Sequence, residues 1–171
     1  MKRLLAVLAL AFSAGGCGYR LANHADALPA KIQTISIPAF GNNTTQYRLA
    51  DLVSKAVTRE MIQRTRYRIL AGDQKDADAV LTGAMVNFVS YPTTFDQNTG
   101  RASGVQMIAQ FRITLRDRDG KVLYNRPFFE VRERYEISVD PKTYFDEGSV
   151  ALERVSRDVA RSIVSGILEN F

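Results

Sequence analysis

The sequence predicts an α+β fold, a two-layer sandwich with two helices packed on one face of a mostly antiparallel sheet of four or five strands. Three observations predict it. Two segments carry apolar residues at helical spacing, one segment alternates apolar and polar residues over eleven positions, and the order of elements runs strand, helix, three or four strands, helix. Amphipathic helices and a sheet with one dry face bury their apolar sides only against each other.

The domain is expected to span residues 31–171. Ile32, Ile35 and Ile37 with interleaved polar residues predict a first strand, closed by Pro38 and the turn-forming run Gly41-Asn42-Asn43-Thr44. Leu49, Leu52, Val53, Ala56, Val57 and Met61 then form a single helical stripe. Tyr67 to Leu70 is a short strand candidate and Gly72 to Asp78 a polar turn. Ala79 to Tyr91 predicts a longer strand that Pro92 stops, with Thr93 to Ser103 as a loop. In the next strand Val105, Met107, Ala109, Phe111, Ile113 and Leu115 supply the dry face, and Gln106, Ile108, Gln110, Arg112, Thr114 and Arg116 the wet one. Asp117 to Lys121 is a hairpin turn, and Val122 to Ile137 returns as a strand interrupted by Pro127. Asp140-Pro141 ends the sheet region, and Leu152, Val155, Val159, Ile163 and Ile167 mark a long final helix.

Ahead of the domain, Lys2 and Arg3 precede an apolar run, Leu4 to Phe12, and small residues up to Cys17. The run is far short of the roughly 20 residues of a membrane-spanning helix, so residues 1–16 read as an export signal. Ser13-Ala14-Gly15-Gly16-Cys17 resembles a bacterial lipobox, whose cysteine is acylated and becomes the mature N-terminus; the alternative is an ordinary secretory signal that leaves Cys17 as a thiol. Cys17 is the one cysteine in the chain, so no internal disulfide forms. Two or more acyl chains on it would hold the protein to a membrane, with residues 17–30 as acylated N-terminus and tether. Gly18 replaces the Asp common in lipoproteins retained at the inner membrane, which points to the outer membrane.

The inventory of reactive groups argues against an enzyme. The sole histidine, His24, lies in the expected tether, so the domain holds neither Cys nor His for zinc ligation or for Ser-His or Cys-His chemistry. Asp73, Asp76 and Asp78 lack the glycine and the distant glutamate of a calcium loop and read as a solvated turn. Gly72, Gly83, Gly100 and Gly104 are too scattered for a phosphate loop. No cofactor and no metal are expected.

Charge is more informative. Without Lys2 and Arg3 the chain has 21 basic and 18 acidic residues, yet Arg101 to Arg134 alone holds eight basic against four acidic. A three-residue loop Arg118-Asp119-Gly120 sets Asp117 opposite Lys121, Leu115 opposite Leu123 and Ala109 opposite Phe129, so the dry faces coincide. A two-residue turn would put Arg126 opposite Ile113, and core burial selects against it. In the favoured register Arg112 faces Arg126 on the wet side, with Arg116 and Arg132 beside them. Facing like charges are unfavourable unless an anion lies between them. One reading is a solvated face neutralised by Glu130 and Glu136; the other is a strip of guanidinium forks for phosphate. Nucleic acid does not suit an exported lipoprotein, whereas the phosphorylated head of lipopolysaccharide does.

Cys17-Gly18-Tyr19-Arg20-Leu21 resembles the Cys-Gly-Tyr-x-Leu opening of LptE lipoproteins. Ile35-Ser36-Ile37-Pro38-Ala39-Phe40 and Asn42-Asn43-Thr44 resemble their first strand and turn. The resemblance implies a non-enzymatic, periplasm-facing outer-membrane lipoprotein that plugs and helps assemble the LptD β-barrel and binds lipopolysaccharide. Its ligand residues do not carry over as a motif, so Arg112, Arg116, Arg126 and Arg132 rest on the hairpin register alone. The competing expectation is a periplasm-facing structural or adaptor lipoprotein of another secretion or flagellar assembly.

Overall fold

The computed structural model describes residues 28–73, 76–137 and 144–169. The export signal, Cys17, His24 and Asp140-Pro141 lie outside them. Three residues of the expected tether are described, and Leu28 among them is buried, its N–H donating to the Tyr67 hydroxyl at 3.0 Å.

The elements are β1 (Thr34–Ile37), β2 (Gly41–Asn42), α1 (Tyr47–Arg64), β3 (Arg68–Ala71), β4 (Ala79–Phe95), β5 (Ala102–Asp117), β6 (Val122–Glu136) and α2 (Tyr144–Glu169). They form the expected α+β architecture, but the sheet is a mixed one of six strands in the order β3-β1-β4-β5-β6, with β2 also paired to β4. β1 runs parallel to both β3 and β4, and β2 parallel to β4; the β4–β5 and β5–β6 pairs are antiparallel. The mostly antiparallel sheet of four or five strands is thus corrected. Parallel neighbours need a long crossover, and α1 supplies it between β1 and β3. β1 and β2 meet the same side of β4 in succession, so Pro38-Ala39-Phe40 breaks one strand position into two pieces.

Strand β4 does not stop at Pro92. It runs to Phe95, paired with β5 as far as Ala102, so most of the expected loop from Thr93 to Ser103 is the end of a long hairpin. Pro92 is tolerated because the ladder slips just after it, and a proline at a bulge forfeits little pairing. Asp96 tightens the tip by accepting from the N–H groups of Asn98 and Thr99.

The core lies between the sheet and both helices. Leu49, Val53, Val57 and Met61 of α1 and Val159, Ile163 and Ile167 of α2 are fully buried, as are Ile35, Leu81, Met85, Phe111, Ile113 and Leu115 of the sheet. This is the stripe-on-dry-face arrangement that the two periodicities predict. The helices pack on each other, and α2 also on β6, where Gly166 lets the Tyr124 hydroxyl approach closely. Phe40 lies on Gly83, its ring filling the space a Cβ would occupy. No helix among the described residues is long and apolar enough to cross a membrane.

Candidate anion-binding face

The sheet face away from the helices is built on β5. In register across β4, β5 and β6 it presents Thr82, Thr114 and Asn125; then Asn87, Gln110 and Glu130; then Val89, Ile108 and Arg132; then Tyr91, Gln106 and Arg134. Arg116 is in register with Val80 and Arg112 with Ala84. Both arginines are exposed, and neither has a carboxylate partner among the described residues. Their neighbours on β4 are small or apolar, so their charges are not compensated within the sheet.

The turn has the expected form. Asp117 N–H donates to the Lys121 carbonyl at 2.9 Å, and Gly120 takes φ +83°, the left-handed position that favours glycine. Beyond it the register departs from expectation. Arg116 pairs with Val122, but a slip then sets Leu115 opposite Tyr124 and Ile113 opposite Arg126, and a second slip sets Phe111 opposite Phe129. Each slip inserts an extra residue in β6. The first turns Leu123 and Tyr124 both into the protein and swaps the faces of the residues that follow; the second, around Pro127, restores them.

Arg126 therefore leaves the strip. It shares the core side with Ile113, half-buried, its guanidinium carbon 4.1 Å from the centre of the Phe129 ring. The register that burial appeared to forbid is allowed locally because β6 is an edge strand and an arginine stem covers apolar surface while its head lies on an aromatic face. The facing pair Arg112–Arg126 does not exist. Arg132 stays on the open face, but its Nε and Nη2 both reach Glu130 Oε1 at 2.7 Å. Glu130 also accepts from Gln110 Nε2 at 2.8 Å, and the Gln110 and Arg132 bonds hold its carboxyl below the usual range. Internal neutralisation thus applies to Arg132, while Arg112 and Arg116 remain open.

Sequence reasoning missed Arg134, whose Nη2 donates to Thr94 Oγ1 at 2.6 Å, and the apolar row of Val89 and Ile108. Both had a signal: Arg134 shares parity with Arg132, and Ile108 is an apolar residue on a wet-face position.

At the other end of the hairpin the charges are structural. Lys31 Nζ bonds Asp117 Oδ2 at 3.0 Å, and this bond, with the N–H groups of Lys121 and Asp119, holds the buried Asp117 carboxyl low. Arg118 docks on the turn before β4, through the carbonyls of Asp76 and Ala77. Of the three aspartates in that turn, Asp78 is engaged with Thr34, and no group of carboxylates among the described residues could hold a metal.

The family model described as LptE, lipopolysaccharide-assembly, matches residues 32–167. Among solved structures, a lipoprotein of Caulobacter crescentus CB15 superposes with a TM-score of 0.54 at 12% identity, covering 77% of this chain and 88% of that one. A minor lipoprotein of Acinetobacter baumannii gives 0.53 at 14% identity, with 83% and 95% covered. The PelC dodecamer of Paraburkholderia phytofirmans gives 0.55 at 13% identity, with 81% and 90% covered. At these identities the likeness is one of fold. No curated protein matches the chain by sequence at a significant level.

Proposed function

The chain belongs to the LptE lipopolysaccharide-assembly family, and from that premise we propose that it is a non-enzymatic accessory lipoprotein of lipopolysaccharide transport, anchored to the outer membrane through an acylated Cys17. Its partner is an LptD-type β-barrel, in which it acts as plug and assembly aid, and its ligand is lipopolysaccharide. The observation that carries the ligand reading is the pair Arg112 and Arg116, two exposed guanidinium groups on one strand of the uncovered face with no carboxylate partner among the described residues. Forked donors of this kind suit phosphate, which accepts two parallel bonds. Next to this pair along the face lies the apolar row of Val89 and Ile108, so the face offers charge and apolar surface side by side.

The reading is tested by purifying the tagged full chain from membranes in mild detergent. Recovery of a large outer-membrane barrel in stoichiometric amount is the expected result. Recovery of a different envelope assembly with no barrel would replace this reading with that of a structural or adaptor lipoprotein.

A further inference from the structure

The two helices meet over small side chains, and on their outer side this leaves a groove. Ala160 and Ser156 of α2 are buried and Ala56 of α1 partly so, and above them lie two adjoining depressions of about 260 and 230 Å³ that share Ala56, Arg59 and Arg157. Four cations line the groove, Lys55, Arg59, Arg157 and Arg161, against two carboxylates, Glu60 and Glu153.

Most of the neighbouring charges are paired, Glu153 excepted. Lys55 pairs with Asp51 at 2.7 Å, Arg161 with Asp158 at 3.6 Å, and Glu60 is taken by Arg64 at 3.5 Å. Arg154 reaches across to Glu133 at 3.2 Å. Arg59 and Arg157, one on each helix, have no carboxylate within 4.0 Å among the described residues, although Glu153 stands one helical turn from Arg157. Two guanidinium groups thus border one groove against the single unpaired carboxylate of Glu153, leaving an excess of positive charge at a helix–helix contact.

We propose that this groove is a second anion site, on the opposite layer from the sheet face, in which Arg59 and Arg157 clamp a compact oxyanion of the phosphate class. A small polyoxygen anion fits better than a protein surface. None of the exposed large apolar side chains among the described residues lines the groove, and its one large apolar residue, Leu52, is partly buried against the core, so it offers little apolar surface to a protein partner. Tetrahedral phosphate, by contrast, can accept from two forks at once. The phosphate could be free or carried on a lipid headgroup, and the two sources share this chemistry.

The test follows the arginine side-chain N–H resonances of the full chain in detergent, at constant ionic strength. One arm is titrated with inorganic phosphate and the other with glycerol 3-phosphate, a soluble stand-in for a headgroup. Saturable shifts of Arg59 and Arg157 are expected in at least one arm, and the tighter arm names the source. Arg59→Gln with Arg157→Gln should weaken that binding by roughly ten- to hundredfold, the loss of one charge-assisted hydrogen bond or more. Arg59→Lys, which keeps the charge but not the fork, should also weaken it and guards against a double variant that does not fold. No shift in either arm, equal unsaturated drift of all exposed arginines, or an unweakened affinity in the variants, read on the remaining groove resonances of Lys55 and Arg161, would overturn the proposal.

Discussion

Thr34 and Asp78 are bonded to each other twice: the Thr34 hydroxyl donates to the Asp78 carboxylate at 2.7 Å and accepts from the Asp78 N–H at 2.9 Å. The N–H groups of Gln33 and Thr34 donate to the same carboxylate oxygen at 3.1 and 2.9 Å. The start of β1 is thereby clamped to the turn that opens β4, its parallel neighbour. Thr34→Val removes both hydroxyl bonds and is expected to cost about 1 to 2 kcal/mol of stability in denaturant unfolding. No change in midpoint would show the clamp to be idle.

The same clamp makes stability acid-sensitive. The bonds from Thr34 and from the Gln33 and Thr34 N–H groups, with Arg118 nearby, hold the Asp78 carboxyl below its ordinary value. A carboxyl depressed in the folded state adds stability above its unfolded value and loses it as pH falls through the folded one. Asp117 and Glu130 are shifted in the same direction. The unfolding midpoint should therefore be level near neutrality and fall below about pH 4. Asp78→Asn should flatten part of that fall, and an unaltered acid limb would count against Asp78 as a contributor.

Phe111 is fully buried and its ring lies 6.4 Å from that of Phe129. Phe111→Ala is expected to cost about 3 to 5 kcal/mol, a large share of a small domain's stability. Gln110→Ala removes one partly exposed bond to Glu130 and should cost about 1 kcal/mol or less. Equal effects would mean that the two residues do not lie on opposite faces.

The register separates the arginines proposed to bind from one that packs. Arg112→Gln with Arg116→Gln is expected to weaken lipopolysaccharide binding and flatten its salt dependence while leaving the fold intact. Arg126→Gln should leave binding unchanged and lower stability by about 0.5 to 1 kcal/mol, the value of a partly exposed cation–aromatic contact. The reverse pattern in a titration of the two variants would contradict the assignment of faces.

Cys17→Ser is expected to leave an unprocessed precursor in the inner-membrane fraction. Normal cleavage and outer-membrane fractionation of that variant would remove the anchor from the proposal.

The helices and the dry face of β5 were legible because burial acts on a period: the stripe from Leu49 to Met61 and the alternation from Val105 to Leu115 each fit one geometry. Strand direction was not, since Ile35 and Ile37 alternate identically in a parallel or an antiparallel pair. The slips in β6 left only a faint trace in Pro127, which marks an edge or a bulge without saying where the ladder resumes. The candidate strip inherited that gap. Arg112 and Arg116 needed only the alternation of their own strand, whereas Arg126 needed the pairing beyond the slip that follows the turn.

Strand β6 borders the sheet over 15 residues, with one side unpaired. A straight border of that length would be a template for strands of other molecules. Pro127 withholds an N–H in its midst, the adjacent slip bends the backbone, and Arg132, Glu133, Arg134 and Glu136 charge the remaining stretch. Pro127→Thr should raise concentration-dependent light scattering without lowering the unfolding midpoint, and unchanged scattering would free the proline of this role. A kinked, charged margin of this kind is a poor template for a neighbouring strand, which works against stacking of copies edge to edge.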